Sequence, residues 1–111
     1  MEGAKLVPAP LSEASFASIT DEEYFLVGVC EQPARIFLAQ NFTDQLLFFS
    51  MNGADNNFVL PPNGFLLVDF ATNKGTPNTA ALPSGDGLYV KAPTTTFPTV
   101  GSVYMSYWYA S

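Results

Sequence analysis

Every apolar run in this chain is short enough to be a strand, and each one ends in turn chemistry. Tyr24–Val29 is rich in aromatic and β-branched residues and closes at Pro33. Ala34–Asn41 alternates, with Ile36 and Leu38 on one face and Phe37 and Ala39 on the other. After a turn at Thr43-Asp44 come Gln45–Met51, a tight turn opened by Asn52-Gly53, and the short run Phe58–Leu60. Pro61-Pro62-Asn63-Gly64 leads into Phe65–Phe70. Residues 71–86 are a long polar connection with Gly75, Pro77, Pro83 and Gly85, and Gly87–Ala92 follows. A Thr- and Pro-rich loop over 93–101 precedes Ser102–Ala110. Apolar spacing of 3.6 residues is nowhere sustained, so no amphipathic helix is expected. This pattern predicts an all-β fold: one antiparallel β-sandwich of seven or eight strands over residues 21–111, with jelly-roll or immunoglobulin-like order. Residues 1–20 read instead as an extended N-terminal arm, because Pro8 and Pro10 forbid a regular helix. A short helical turn fits near Ser12–Ser18. Leu6, Val7, Leu11, Phe16 and Ile19 give the arm apolar side chains with which to dock on a neighbour.

With 111 residues the chain makes one domain and one core. A sandwich strand normally buries one side and wets the other. Here several strands are apolar on both. Leu47, Phe49 and Met51 oppose Leu46 and Phe48; Phe65 and Leu67 oppose Leu66, Val68 and Phe70; Val103, Met105, Tyr107 and Tyr109 oppose Tyr104 and Trp108. Each large apolar side chain left in water forgoes ~1.5–3 kcal/mol. A partner that covers the second set, Leu46, Phe48, Tyr104 and Trp108 among them, is the economical resolution.

The remaining composition excludes several functions. Net charge is −6, and Lys5, Arg35, Lys74 and Lys91 are the only cations. That is no footprint for a phosphate backbone, so no nucleic-acid partner is expected. The absence of His removes His-based acid–base catalysis, Ser-His-Asp triads and most zinc sites. Cys30 is alone and reads as a small buried hydrophobe in a strand. No stretch approaches the ~20 apolar residues of a membrane helix. The first residues lack a basic segment followed by an apolar one, so synthesis and retention in a cytoplasm are expected. Asn41-Phe42-Thr43 is then a chance sequon.

Individual clusters add little chemistry. Asp21-Glu22-Glu23 reads as a solvated turn, though it could steer a basic partner. Asp55-Asn56-Asn57 lacks the alternating ligands, sixth-position Gly and closing Glu of a calcium loop, so it reads as a polar hairpin and not a metal site. Gly85-Asp86-Gly87 has no following helix to converge amides on an anion and reads as a turn. No catalytic constellation and no cofactor motif is present. Tyr104, Tyr107, Trp108 and Tyr109 admit two readings: a sugar-stacking platform, or core on one side and subunit contact on the other. Subunit contact suits their alternation better.

From Asn41 to Tyr109 the chain also resembles a known group. The stretches that carry the likeness are Asn41-Phe42-Thr43-Asp44-Gln45-Leu46-Leu47-Phe48-Phe49-Ser50 and Asn52-Gly53 through Phe58-Val59-Leu60-Pro61. Gly64-Phe65-Leu66-Leu67-Val68-Asp69-Phe70 with Asn73-Lys74, and Gly87-Leu88-Tyr89-Val90-Lys91 with Gly101-Ser102-Val103-Tyr104, complete it. Together they resemble small structural proteins of tailed bacteriophage virions, of the capsid-decoration or head–tail accessory type. The resemblance implies a non-enzymatic β-sandwich without cofactor, assembled in the host cytoplasm into the virion. It implies self-association, with a trimer as the first expectation, and partners among major capsid, portal or tail proteins. A glycan-binding module of a phage attachment organelle is the alternative it leaves open.

Overall fold

The structure, a computed structural model, describes residues 5–70 and 82–110. The described residues form nine strands: β1 (Leu6–Pro8), β2 (Ser12–Ser15), β3 (Phe25–Val29), β4 (Ala34–Asn41), β5 (Leu47–Ser50), β6 (Phe58–Leu60), β7 (Phe65–Asp69), β8 (Gly87–Lys91) and β9 (Ser102–Ala110). A 3₁₀ turn, Phe16–Ser18, is capped by the Ser15 hydroxyl, which accepts from the Ala17 amide. Alternation located β4, β6 and β9 to the residue, and the other strands from β3 onward lie within two residues of their expected limits. The polar connection expected over 71–86 falls for residues 71–81 outside the described residues, as does Asn73-Lys74.

The strands form two antiparallel sheets. One runs β1-β9-β4-β7, with β2 also paired to β9; the other runs β3-β8-β5-β6. Counting β1 and β2 as one interrupted strand, successive strands cross between the sheets except at the β5–β6 hairpin, and the last, β9, lies between the first and β4. That is jelly-roll order, two interlocked Greek keys, and it decides between the two sandwich types expected.

Alternation explains which side chains meet between the layers. Phe37 and Ala39 of β4, Val103 and Met105 of β9, Leu47 and Phe49 of β5, and Leu88 and Val90 of β8 are all essentially inaccessible. Phe49 stacks on Phe58 with ring centroids 5.1 Å apart. Close approach at the end of β4 requires Gly101, at φ +97°. A Cβ there would run into the Phe42 carbonyl. The Phe42 amide can therefore donate to Ser102 O at 2.9 Å and start the β4–β9 ladder.

The N-terminal arm is corrected by the structure. Residues 6–8 and 12–15 pair antiparallel with β9, Leu6 opposite Ala110 and Ser12 opposite Met105. The Ala9 amide donates to Tyr107 O at 2.9 Å and the Phe16 amide to Gly101 O at 3.0 Å. Ile19 and Ala14 belong to the core, at 4% and 1% exposure. The sandwich thus begins near residue 6 and not at residue 21. The physical cause is β9 itself: without these residues, a nine-residue apolar strand would present a bare edge whose backbone groups lack partners.

Candidate functional site

Two outward sheet faces are left once the core is filled, and they differ in chemistry. On the five-stranded sheet, cross-strand register sets Trp108 between Pro8 and Ile36, Leu38 beside Leu67, and Tyr104 and Phe65 on either side of Gln40. Phe42 continues the surface, its ring meeting Tyr104 edge-on at 5.8 Å between centroids. Phe65 and Leu67 are 64% and 52% exposed. The charged residues of β9, β4 and β7 lie at one end, Asp69 at a corner opposite Ile36 and Arg35 at the bulge of β4, and the positions between Ile36 and Gln40 carry none. Glu13 marks the opposite rim beside Tyr104, and its carboxylate accepts from the Ser102 hydroxyl at 2.7 Å.

The outer face of the four-stranded sheet is broken by a cation. Lys91 lies opposite Phe48, which lies opposite Val59; Leu26 and Ser50 flank Tyr89. The Lys91 ammonium sits over the Tyr24 ring, 4.8 Å from its centroid. Burial and the nearby Asp55 carboxylate raise the Tyr24 phenol above its usual range, so it stays neutral beneath that ammonium.

The expected interface residues therefore do not form one patch. Tyr104 and Trp108 lie on the five-stranded face, whereas Leu46 and Phe48 lie on the opposite side of the molecule. Of the arm residues, Leu6 and Leu11 are exposed, Val7 faces inward against Tyr109, Phe16 is half-buried and Ile19 is core. The aromatic quartet also divides. Tyr107 is buried, its hydroxyl accepting from the Glu31 amide at 2.9 Å and bonded to Gln32 Oε1 at 3.1 Å. Tyr109 packs against the core, so Tyr104 and Trp108 are the outward aromatics of β9. Ile36, Leu38, Phe65 and Leu67 were visible as one-sided alternation, but only the register joins them to Trp108 and Tyr104 in one surface.

The other clusters are engaged in turns. Asn52 Oδ1 accepts from the Ala54 and Asp55 amides at 2.9 and 3.0 Å, and Asn52 Nδ2 donates to Asp55 Oδ2 at 3.0 Å. Gly85 turns at φ +97°, and the Asp86 amide donates back to Pro83 O at 3.2 Å. Asp21 Oδ2 accepts from the Thr95 amide at 3.4 Å. Cys30 is fully buried; burial, with the Asp86 charge second, pushes its thiol up to about 11. Two hollows among the described residues hold about 290 and 200 Å³, below the ~300 Å³ at which ligand pockets begin. Neither a protein-family model, nor a curated protein, nor a solved structure matches the chain.

Proposed function

We propose that this chain is a non-enzymatic structural subunit of a bacteriophage particle, associating with copies of itself and with neighbouring capsid, neck or tail proteins. The observation that carries the reading is the five-stranded outer face: Trp108, Ile36, Leu38, Leu67, Phe65, Tyr104 and Phe42 adjoin, with charge only at the rim. A contiguous apolar patch of this kind marks a contact site in a soluble protein. Aromatic residues with few charges are the composition of an interface centre. Jelly rolls serve both capsid and lectin domains, so the fold favours neither. The choice falls to assembly because the sugar-stacking reading loses Tyr107 and Tyr109 to the interior, while the apolar face extends over three strands. The phage assignment is supported by the sequence resemblance over residues 41–109.

Sedimentation velocity on the full chain over a wide concentration range tests the reading. Association is expected, and Trp108→Lys should weaken it while far-UV circular dichroism stays unchanged. A wild-type chain that stays monomeric at ~1 mM and binds no particle protein would remove the basis for it.

A further inference from the structure

Four strands lie at the sheet edges, and three carry features that discourage pairing. The β1/β2 edge is interrupted and holds Pro8 and Pro10; β3 has a register shift between Leu26 and Gly28; β6 is three residues long. The fourth, β7, has no Pro, no Gly, no Lys and no bulge, and its register with β4 is unbroken over all five residues. Among the described residues no strand pairs with its far side. The direction of its backbone groups follows from the ladder. Gly64 O accepts from the Asn41 amide at 2.9 Å and the Phe70 amide donates to Arg35 O at 2.8 Å. Even-numbered residues of β7 therefore face β4, and the N–H and C=O groups of Phe65 and Leu67 aim away from it.

We propose that two copies of the chain pair antiparallel through β7, about a twofold axis at Leu66. The proposal deepens the assembly reading and rests on it. In this register Phe65 and Leu67 of each copy exchange main-chain hydrogen bonds with Leu67 and Phe65 of the other. The same residues meet as aromatic–aliphatic cross-strand pairs on the outer face. Asp69 lies beyond this ladder, beside the Pro62-Asn63 turn of the second copy, so two acidic chains join without facing carboxylates. Moving the axis to Leu67 sets each Phe65 against a carboxylate instead. The strand is thus complementary to itself in one register, which selects a second copy over an unrelated peptide.

The stretch that can pair, Gly64 to Val68, is about 17 Å long at ~3.3 Å per residue, because Asn63 turns at φ +66° and gives its amide to Asn41 O. It covers Phe65 and Leu67, two of the more exposed large side chains. The area buried is on the order of a few hundred Å² in total, well short of the ~1,200 Å² of a stable free complex. The pair therefore forms at high concentration, and its effect in an assembly is to merge two apolar faces into one of double width. The contact is isologous, so it yields pairs and not the threefold ring expected from the sequence.

Amide hydrogen exchange by NMR, with sedimentation on the same samples at low concentration and at about 1 mM, tests the proposal. The Phe65 and Leu67 amides should exchange roughly tenfold or more slowly in the concentrated sample, while those of Leu66 and Val68, bonded to β4 throughout, change little. Leu67→Lys, at an exposed position, should abolish the slowing with an unchanged thermal melt. A multimer of any size whose Phe65 and Leu67 amides stay fast overturns the edge pairing and leaves the assembly reading intact. A monomer at the higher concentration overturns the edge pairing, and if it also binds no particle protein it overturns the assembly reading with it.

Discussion

Asn41→Leu should cost this fold about 3 kcal/mol, and the figure follows from the groups it orphans. Asn41 is fully buried at the end of β4. Its Nδ2 donates to the Gln45 and Leu60 carbonyls, both at 2.9 Å, and reaches Pro61 O at 3.3 Å. Its Oδ1 accepts from the Thr43 amide at 2.9 Å and the Thr43 hydroxyl at 2.7 Å. One side chain thus fixes the exit from β4, the 43–45 turn and the turn between β6 and β7. Leucine fits the volume but none of the bonds. The Thr43 hydroxyl retains Gln45 O at 3.1 Å, so that pair survives. The Thr43 amide and the Leu60 carbonyl do not recover, at ~1–3 kcal/mol for each unpaired group. Added apolar burial offsets about 1 kcal/mol. At ~4–8 °C per kcal/mol for a domain of this size, Tm should fall by about 12–24 °C. Urea unfolding followed by Trp108 fluorescence measures the change. Thr43→Ala, which spares the Asn41 amide bonds, should lose only about 1 kcal/mol. A loss below ~1 kcal/mol for Asn41→Leu at constant m-value would show that water serves these groups and that Asn41 does not hold the turns together.

Two further outcomes concern titration. Asp44 Oδ1 accepts from the Thr99 amide at 2.8 Å, and its other oxygen takes the Thr99 hydroxyl; these bonds hold the carboxyl below its ordinary 3.8. A lowered folded value means the clamp is whole above pH 3.8 and is lost as pH falls through the folded value. The Thr99 amide resonance should therefore move below pH 3.8, and in Asp44→Asn it should not titrate there. Cys30 behaves in the opposite sense: its thiol, raised from 9.0 to about 11, favours the fold fully below pH 9.0 and progressively less up to about 11. A disulfide-exchange reagent at neutral pH should leave native Cys30 untouched and label it fully in urea; rapid labelling of the native chain would contradict its burial.

Much of this architecture could be read residue by residue, because the period-two signal is local. β4, β6 and β9 were located by alternation between turn residues, and the inward sets Leu47/Phe49 and Val103/Met105 followed from it. What alternation does not encode is which strand lies beside which. Leu46/Phe48 and Tyr104/Trp108 looked equivalent along the chain, and the jelly-roll crossings put them on opposite surfaces. The arm was misplaced for a related reason. Leu6, Val7 and Leu11 are too few and too interrupted by proline to signal a strand, yet β9 needs neighbours on both sides. The need arises from a segment about a hundred residues away. Asn41 opens the stretch Asn41–Ser50 that carries part of the sequence resemblance. Its role became visible only when β6 arrived beside it, since Leu60 is nineteen residues distant.

The two outer faces together argue that contact is made on one side. Both carry more apolar area than solvent favours, but the four-stranded face sets a lysine among Phe48, Tyr24 and Tyr89. Docking there requires an ammonium to be stripped of water, a cost that the single Tyr24 ring offsets only in part. On the five-stranded face Arg35 and Asp69 both lie at one end, and no charge stands among Ile36, Leu38, Gln40, Phe65, Leu67, Tyr104 and Trp108. The same sparing use of charge that lets the core close leaves this face as the less costly one to bury. In a chain with net charge −6, like-charge repulsion between copies is then carried by loops and rims and not by the surface that meets.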